Sequence, residues 1–271
     1  MTGSVPHTVF EPTLTVLFLR GEPVSLCKTL KVTEALRGLL LRACPEQPPP
    51  EWFSGHTPDG KPTKGPHLGL TPLPLVDSEC ADGRIVGLAL ILPRDLDRED
   101  ARNCLEPILR DPDTGLPRKH RLFSGRHLDC EIALDTRKQR SRNLRPTTWS
   151  GGEHGSRVWA SVTPIVLNHH YNGTDRWRRA AESVKTACMH IGLPCPRTVR
   201  LHPTAVVPGV PPANKFAQVT RKTDGGRCWH SHALLTFDQR VRGPVMLGAG
   251  RFRGYGLCRP MDVNSCPTSD G

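Results

Sequence analysis

The chain has 271 residues, enough for one large domain or two of ordinary size, and we interpret it as two domains. Lysine plus arginine outnumber aspartate plus glutamate by 37 to 26, and the resulting formal net charge of +11 favours an acidic partner such as nucleic acid. The longest apolar run, residues 85–92, is too short to span a bilayer, and the first residues lack the pattern of a signal peptide, so we expect a cytoplasmic protein.

The cysteines carry no clear metal or disulfide signature. Ten are scattered singly along the sequence without a CxxC pair, so we expect them to be reduced and mostly buried. Cys228, His230 and His232 alternate along a predicted strand and therefore share one face. Further ligands are hard to find near them, so zinc is the less favoured interpretation. The sequence predicts no metal and no other cofactor.

The first half of the chain has the order strand, helix, strand, strand, helix, strand. Ser25 is a plausible N-cap of the first helix, which is predicted to end near Ala43. Asp95 or Asp97 can cap the second helix, which must end before Pro112. This order is typical of a ferredoxin-like domain, in which one sheet packs against two helices. The predicted strands are residues 14–19, 67–76, 84–92 and 128–134.

The second half repeats the beginning of the first. Residues 135–155 are dense in arginine and poor in aliphatic side chains, so we place the boundary there, with domains at 1–145 and 146–271. We see no second helix between Pro208 and Arg227, so this copy is less complete. The prediction is an α+β protein of two tandem ferredoxin-like (RRM-like) βαββαβ domains. The elements of the second half are strands at 158–167, 198–207 and 228–237 and a helix over 177–191.

The glycine-rich segment, residues 243–256, precedes the last predicted strand and crowds several phosphate-binding features together. Its glycines alternate with Arg251, Phe252, Arg253 and Tyr255. Glycine lets backbone amides approach an anion, arginine matches the geometry of phosphate, and aromatic rings stack on bases. The pattern predicts a clamp for a nucleic-acid backbone. A glycine-rich hairpin with solvated arginines is the alternative.

The histidine loop, residues 54–67, follows the first helix and contains His56, Lys61, Lys64 and His67. Histidine is the usual proton-transfer residue because its ordinary pKa of ~6.5 lies near working pH. From these residues alone, a turn histidine that bonds to the backbone is the simpler interpretation. Another histidine pair, His169 and His170, ends a strand, where neighbouring side chains face opposite ways, so it makes a weak catalytic pair.

Several strings of the sequence resemble the CRISPR-associated RAMP superfamily, specifically its Cas-six-like repeat-processing endoribonucleases. They are similar to the C-terminal part of the type I-G (formerly I-U) fusion of a Cas-five-like and a Cas-six-like protein. The Cas-five-like region is absent from this sequence, so we expect an excised processing domain or a stand-alone form. The strings are LKVTEALRGLL, SGHTPDGKPTKGPHLGLTPLP, VWASVTPIVL, HPTAVVPGVPP and RGPVMLGAGRFRGYGLCRP.

The resemblance implies metal-independent cleavage of a CRISPR repeat RNA. The 2′-hydroxyl attacks its own phosphorus and leaves a 2′,3′-cyclic phosphate and a 5′-hydroxyl. His56 is the implied proton-transfer residue, with His67 as its rival. Lys61 or Lys64 would stabilise the charge that develops on the phosphorane.

The resemblance also implies the RNA contacts and an alternative function. A non-catalytic RAMP subunit that binds guide RNA in an effector complex would have the same fold and charge, and subunits of a type I effector complex are further expected partners. The implied contacts in the glycine-rich segment are Gly248, Gly250, Arg251, Phe252, Arg253, Gly254 and Tyr255. A basic run could follow the RNA backbone, or could be a solvated linker: Arg137, Lys138, Arg140, Arg142 and Arg145.

Overall fold

The computed structural model describes residues 4–126, 128–167, 169, 171–220 and 225–261. Within that part of the chain, helices are mixed with antiparallel strands, which form two six-stranded sheets. The predicted α+β class is therefore confirmed. The helices described there are all too short or too polar to cross a bilayer.

The first half of the chain supplies the first sheet. Its elements are β1 (Thr15–Gly21), β2 (Val24–Ser25), α1 (Thr29–Ala43), α2 (Glu51–Ser54), β3 (Gly69–Pro74), β4 (Arg84–Ile91), α3 (Arg98–Leu109), β5 (Lys119–Phe123) and β6 (Asp129–Leu134). The central strands lie in the order β3, β4, β1, β6 and pair antiparallel, which is the ferredoxin-like arrangement. Strand β5 extends the sheet beyond β6.

Two helix starts follow the predicted N-caps. The Ser25 hydroxyl accepts a hydrogen bond from the Cys27 amide at 3.3 Å and begins a short 3₁₀ turn that leads into α1. The Asp97 carboxylate accepts from the amides of Glu99 and Asp100 at 2.7 and 3.2 Å, so Asp97 caps α3. Helix α1 ends at Ala43, as predicted.

The second half supplies the second sheet. Its elements are α4 (Pro146–Ser150), β7 (Ser156–Ser161), β8 (Ile165–Leu167), α5 (Arg176–His190), β9 (Thr198–His202), β10 (Trp229–Val241), β11 (Val245–Met246) and β12 (Leu257–Met261). The order β9, β10, β7, β12 repeats the arrangement of the first sheet. Where the first half has α3, between its third and fourth central strands, the second half has β11 and the glycine-rich segment.

Two predicted strands differ from the structure, and the outer strand β5 was missed. The run 158–167 is broken into β7 and β8 because Pro164 has no amide hydrogen to continue a ladder. Strand β9 stops at His202, before Pro203. Strand β5 was not predicted, because its sequence KHRLF is mostly polar and Leu122 is its buried residue.

The two sheets share their apolar core. One buried cluster joins Val16 and Leu73 of the first half to Met246 of the second. Another contains Leu36 of α1 together with Tyr255 of the glycine-rich segment. Because close-packed interiors have a defined geometry, a site that lies between the halves is held by both cores.

Candidate active site

The glycine-rich segment lies between the two halves and contacts α1 and β3 of the first half. The Leu70 amide donates to the Phe252 carbonyl at 3.4 Å, and the Thr33 hydroxyl donates to the Arg253 carbonyl at 2.9 Å. Gly254 has φ +86°, and a Cβ there would lie 2.8 Å from the methyl groups of Thr29 and Thr33. Gly254 is therefore needed for close packing against α1.

The backbone amides of this segment are largely engaged within the protein. The Ala249 amide donates to the Val166 carbonyl at 2.9 Å, and the Arg253 amide donates to the Gly250 carbonyl at 2.8 Å. The amides of Arg251 and Tyr255 are also bonded internally. Gly248 and Gly250 pack against β8, where each Cβ would crowd Val166. These amides do not form the open concavity that an anion-binding turn requires.

Tyr255, one of the expected RNA contacts, is fully buried. Its hydroxyl donates to the Ala217 carbonyl at 2.5 Å, and its ring packs near Phe216 and His230. Burial raises the pKa of this phenol above its ordinary value. The ring offers no accessible face on which a base could stack.

His56 is an exposed residue at the start of a small hairpin. Helix α2 ends at Ser54 and is followed by Gly55, whose φ of +71° reverses the chain, and His56 then pairs with Pro62. The His56 amide donates to the Ser54 hydroxyl at 3.1 Å, and ring Nδ1 lies 3.1 Å from the Ser54 carbonyl oxygen. A carbonyl can only accept, so Nδ1 carries the hydrogen and the lone pair of the neutral ring is on Nε2.

Arg37 of α1 also donates to the Ser54 carbonyl oxygen, from its Nη2. The sequence did not single out this arginine as a site residue. Its local sequence carries no signal for this role, because the contact depends on where α2 folds back. Burial, and secondarily the charge of Arg253, lower the pKa of the Arg37 guanidinium.

His67 lies just before β3 and is stacked on Phe252 of the glycine-rich segment. The ring centroids are 3.5 Å apart with an interplanar angle of 28°. A Cβ at Gly55 would lie 2.8 Å from the His67 ring, so the ring is packed on that side as well. Burial is the main cause that lowers the pKa of His67 to about 4, and the positive charges of Arg37 and Arg251 lower it further. His67 is therefore neutral near pH 7.

The arginines of the glycine-rich segment extend this cluster. The Arg251 guanidinium lies over the Phe252 ring, 4.5 Å from its centroid, and Nη1 donates to the Gly248 carbonyl at 3.3 Å. Arg253 pairs with Glu34 of α1 at 2.5 Å, and both side chains are about half exposed. The cluster thus combines residues from the histidine loop, α1 and the glycine-rich segment.

The two lysines lie on the exposed side of the histidine loop. Lys61 pairs with Asp59, with its Nζ 2.6 Å from the carboxylate, and hydrogen bonds from Lys61 and Thr57 lower the pKa of Asp59. Lys64 is exposed. Solvent screening makes an exposed pair of this kind weak, so Lys61 can exchange Asp59 for another anion.

The basic run between the halves is largely engaged in ion pairs. Buried Asp135 accepts two bonds from Arg137, at 2.8 and 2.9 Å, and lies 3.5 Å from Nε of Arg140. Arg142 pairs with Asp77 at 3.3 Å, and Arg145 donates to the Arg140 carbonyl at 2.9 Å. The run is folded onto the protein, unlike a solvated linker.

The histidines of β10 are buried structural residues. His232 has Nδ1 3.0 Å from the Ser161 hydroxyl and Nε2 3.0 Å from the Pro211 carbonyl, and the Val219 amide donates to Nε2 of His230 at 3.3 Å. Within the described ranges, no group of three or more His, Cys, Asp or Glu side chains could hold a metal ion. Of the histidine pair His169 and His170, which was expected to be a weak catalytic pair, His170 lies outside those ranges.

The comparisons with known proteins give structural similarity alone. No protein-family profile and no curated protein matches the sequence. The chain is similar to a solved structure described as Cas6b, at 10% identity and a TM-score of 0.45, covering 92% of this chain and 99% of the other. It is also similar to a Cas6 product complex, at 18% identity and a TM-score of 0.41, covering 96% and 100%.

Proposed function

We propose that this chain binds a CRISPR repeat RNA and cleaves it by metal-independent attack of a 2′-hydroxyl on the adjacent phosphorus. The observation that carries the proposal is the convergence of His56, His67 and the guanidiniums of Arg37 and Arg251 at one place between the two halves. Imidazoles beside several cations suit a reaction that moves protons around an anionic phosphate. The similarity of the sequence strings to repeat-processing endoribonucleases supports the same substrate.

His56 is the general base in this proposal. It is exposed, and the Ser54 carbonyl holds the tautomer whose Nε2 can accept the proton of the 2′-hydroxyl. The O2′–P bond forms as the P–O5′ bond breaks, and the leaving 5′-oxygen takes a proton from solvent. The products are a 2′,3′-cyclic phosphate and a 5′-hydroxyl.

The remaining residues bind and orient the RNA. His67 is neutral near pH 7 and therefore a poor proton donor, so we assign it to positioning Phe252. Arg251 and Arg253 contact the RNA backbone, and Lys61 and Lys64 approach the phosphate from the exposed side of the loop. Charge-assisted hydrogen bonds from these side chains would stabilise the negative charge that develops on the phosphorane.

The test compares His56→Ala with wild type on labelled CRISPR repeat RNA in the presence of EDTA. We expect the single-turnover cleavage rate to fall by about 10²–10⁴-fold while RNA affinity changes little, because the imidazole transfers a proton and adds few contacts. His202→Ala, at an exposed histidine of edge strand β9, is the matched control and should cleave normally.

Three outcomes would count against the proposal. Full cleavage by His56→Ala would show that His56 is not the general base. Wild-type cleavage that disappears in EDTA would contradict metal independence. Tight binding by wild type without any cleavage would favour the alternative, a non-catalytic subunit that holds guide RNA.

A further inference from the structure

A second concave surface lies away from the histidine loop, where β7, β12 and the end of β10 meet. It is a cavity of about 340 Å³ lined by the guanidiniums of Arg142, Arg157, Arg240 and Arg259. Among the residues that the structure describes, no aspartate or glutamate lines it. We call it the arginine pocket.

Local backbone features place these arginines. The pairing of β10 with β7 shifts register between Thr236 and Val241, and Arg240 lies in that irregular stretch. Such bulges redirect a side chain. Arg240 then donates from Nη1 to the Gly155 carbonyl at 3.0 Å. Gly155 has φ +65°, and a Cβ there would lie 2.5 Å from the Val241 carbonyl, so glycine allows the two strand ends to meet.

The arginine pocket keeps a net positive charge. Asp77 is the neighbouring carboxylate, and it lies 2.8 Å from Arg259 and 3.3 Å from Arg142. Arg259 is only 2% exposed, so Asp77 holds it in a buried position, whereas Arg157 and Arg240 are exposed. Arg157 and Arg240 add positive charge, and the described lining residues include no carboxylate to neutralise it.

We propose that the arginine pocket binds a phosphate group of an RNA strand. Planar guanidiniums match phosphate oxygens in a bidentate way. Pro260 and Met261 also line the pocket, and no aromatic ring is among its described lining residues, so the contact is with the backbone and not with a stacked base. The inference rests on the proposed RNA-binding function and adds a second contact to it.

The pocket is well separated from the scissile site. Leu70, at the start of β3, contacts the glycine-rich segment, and Asp77 follows the end of the same strand. The four strand steps from Leu70 to Pro74 span roughly 13 Å at ~3.3 Å each. A backbone contact at this distance would fix the orientation of the RNA relative to the cut.

The test is charge reversal at Arg157, measured with a fluorescein-labelled oligouridylate. This RNA has no repeat sequence, so its binding reports phosphate contacts. The matched control is Arg98→Glu on α3, which is also exposed and changes the net charge by the same amount. We expect Arg157→Glu to weaken binding on the order of tenfold relative to Arg98→Glu. We also expect it to reduce the log-log salt slope by about 0.7, the loss of one phosphate contact.

Arg240→Gln is the second variant and should give a smaller loss in the same direction. Equal affinities for Arg157→Glu and Arg98→Glu, with wild type binding RNA, would overturn the pocket assignment alone. A ³¹P titration with inorganic phosphate gives a further outcome. If wild type binds phosphate and Arg157→Glu does not, while both bind RNA equally, the pocket is a site for free phosphate and the RNA contact is overturned. A wild-type protein that binds no RNA would overturn the proposed function as well.

Discussion

Gly254 is the residue through which the glycine-rich segment is predicted to stabilise the join between the two halves. In Gly254→Ala, the new Cβ would lie 2.8 Å from the methyl groups of both Thr29 and Thr33. It would also lie 3.1 Å from Pro72. Overpacking of this kind costs about 1–3 kcal/mol. The φ of +86° adds a backbone cost of about 1–2 kcal/mol for any L-residue.

The matched control is Gly60→Ala in the histidine loop. Gly60 has a similar φ of +77°, but a Cβ there meets nothing within 4 Å, so this variant carries the backbone cost alone. Urea unfolding of both variants should show that Gly254→Ala is less stable than Gly60→Ala by about 1–3 kcal/mol. Equal stabilities would refute the conclusion that close packing against α1 is the reason for glycine at this position.

Two further predictions concern histidine titration. Phe252→Ala should raise the pKa of His67 from about 4 towards ~6.5 in an NMR titration, because it exposes the imidazole. Phe123→Ala, at an exposed phenylalanine, is the control and should leave the pKa of His67 unchanged. A pKa of His67 still near 4 in Phe252→Ala would assign the shift to other neighbours. Burial also lowers the pKa of His230 and His232 to about 4, so below ~6.5 the unfolded chain binds protons that the folded chain does not, and stability should fall on acidification. Urea midpoints should report a loss of about 1–2 kcal/mol per histidine between pH 6.5 and 5, and a flat profile would contradict the lowered pKa values.

The architecture was largely accessible from the sequence because local signals agreed with it. Apolar strand runs and the caps at Ser25 and Asp97 fixed the order of elements, and that order fixed the ferredoxin-like arrangement. The exceptions have local causes. Pro164 interrupts a run that otherwise alternates like one strand, and β5 is an outer strand whose exposed faces carry no apolar pattern.

The candidate site was only partly accessible. The residue types of the glycine-rich segment indicated phosphate binding, whereas catalytic roles for His56 and His67 were implied by the resemblance to repeat-processing endoribonucleases. The sequence did not indicate that Phe252 stacks on His67, because these two residues lie nearly two hundred positions apart. It also did not indicate that Tyr255 is buried or that Arg37 contacts Ser54, because both depend on how separate elements fold together. Periodicity shows which side of a helix is polar, but not what that side contacts.

The Ser54 carbonyl oxygen accepts hydrogen bonds from both Arg37 and His56, so a main-chain atom sets the orientation of the His56 ring. Every residue type supplies that oxygen, so the side chain at position 54 can be exchanged without removing the acceptor. Gly55 cannot be exchanged as freely, because its left-handed backbone conformation orients the Ser54 carbonyl and the following His56 towards each other. Substitution of Ser54 would therefore keep the carbonyl acceptor but remove the hydroxyl that accepts from the His56 amide, whereas substitution of Gly55 would strain the turn that aligns both groups.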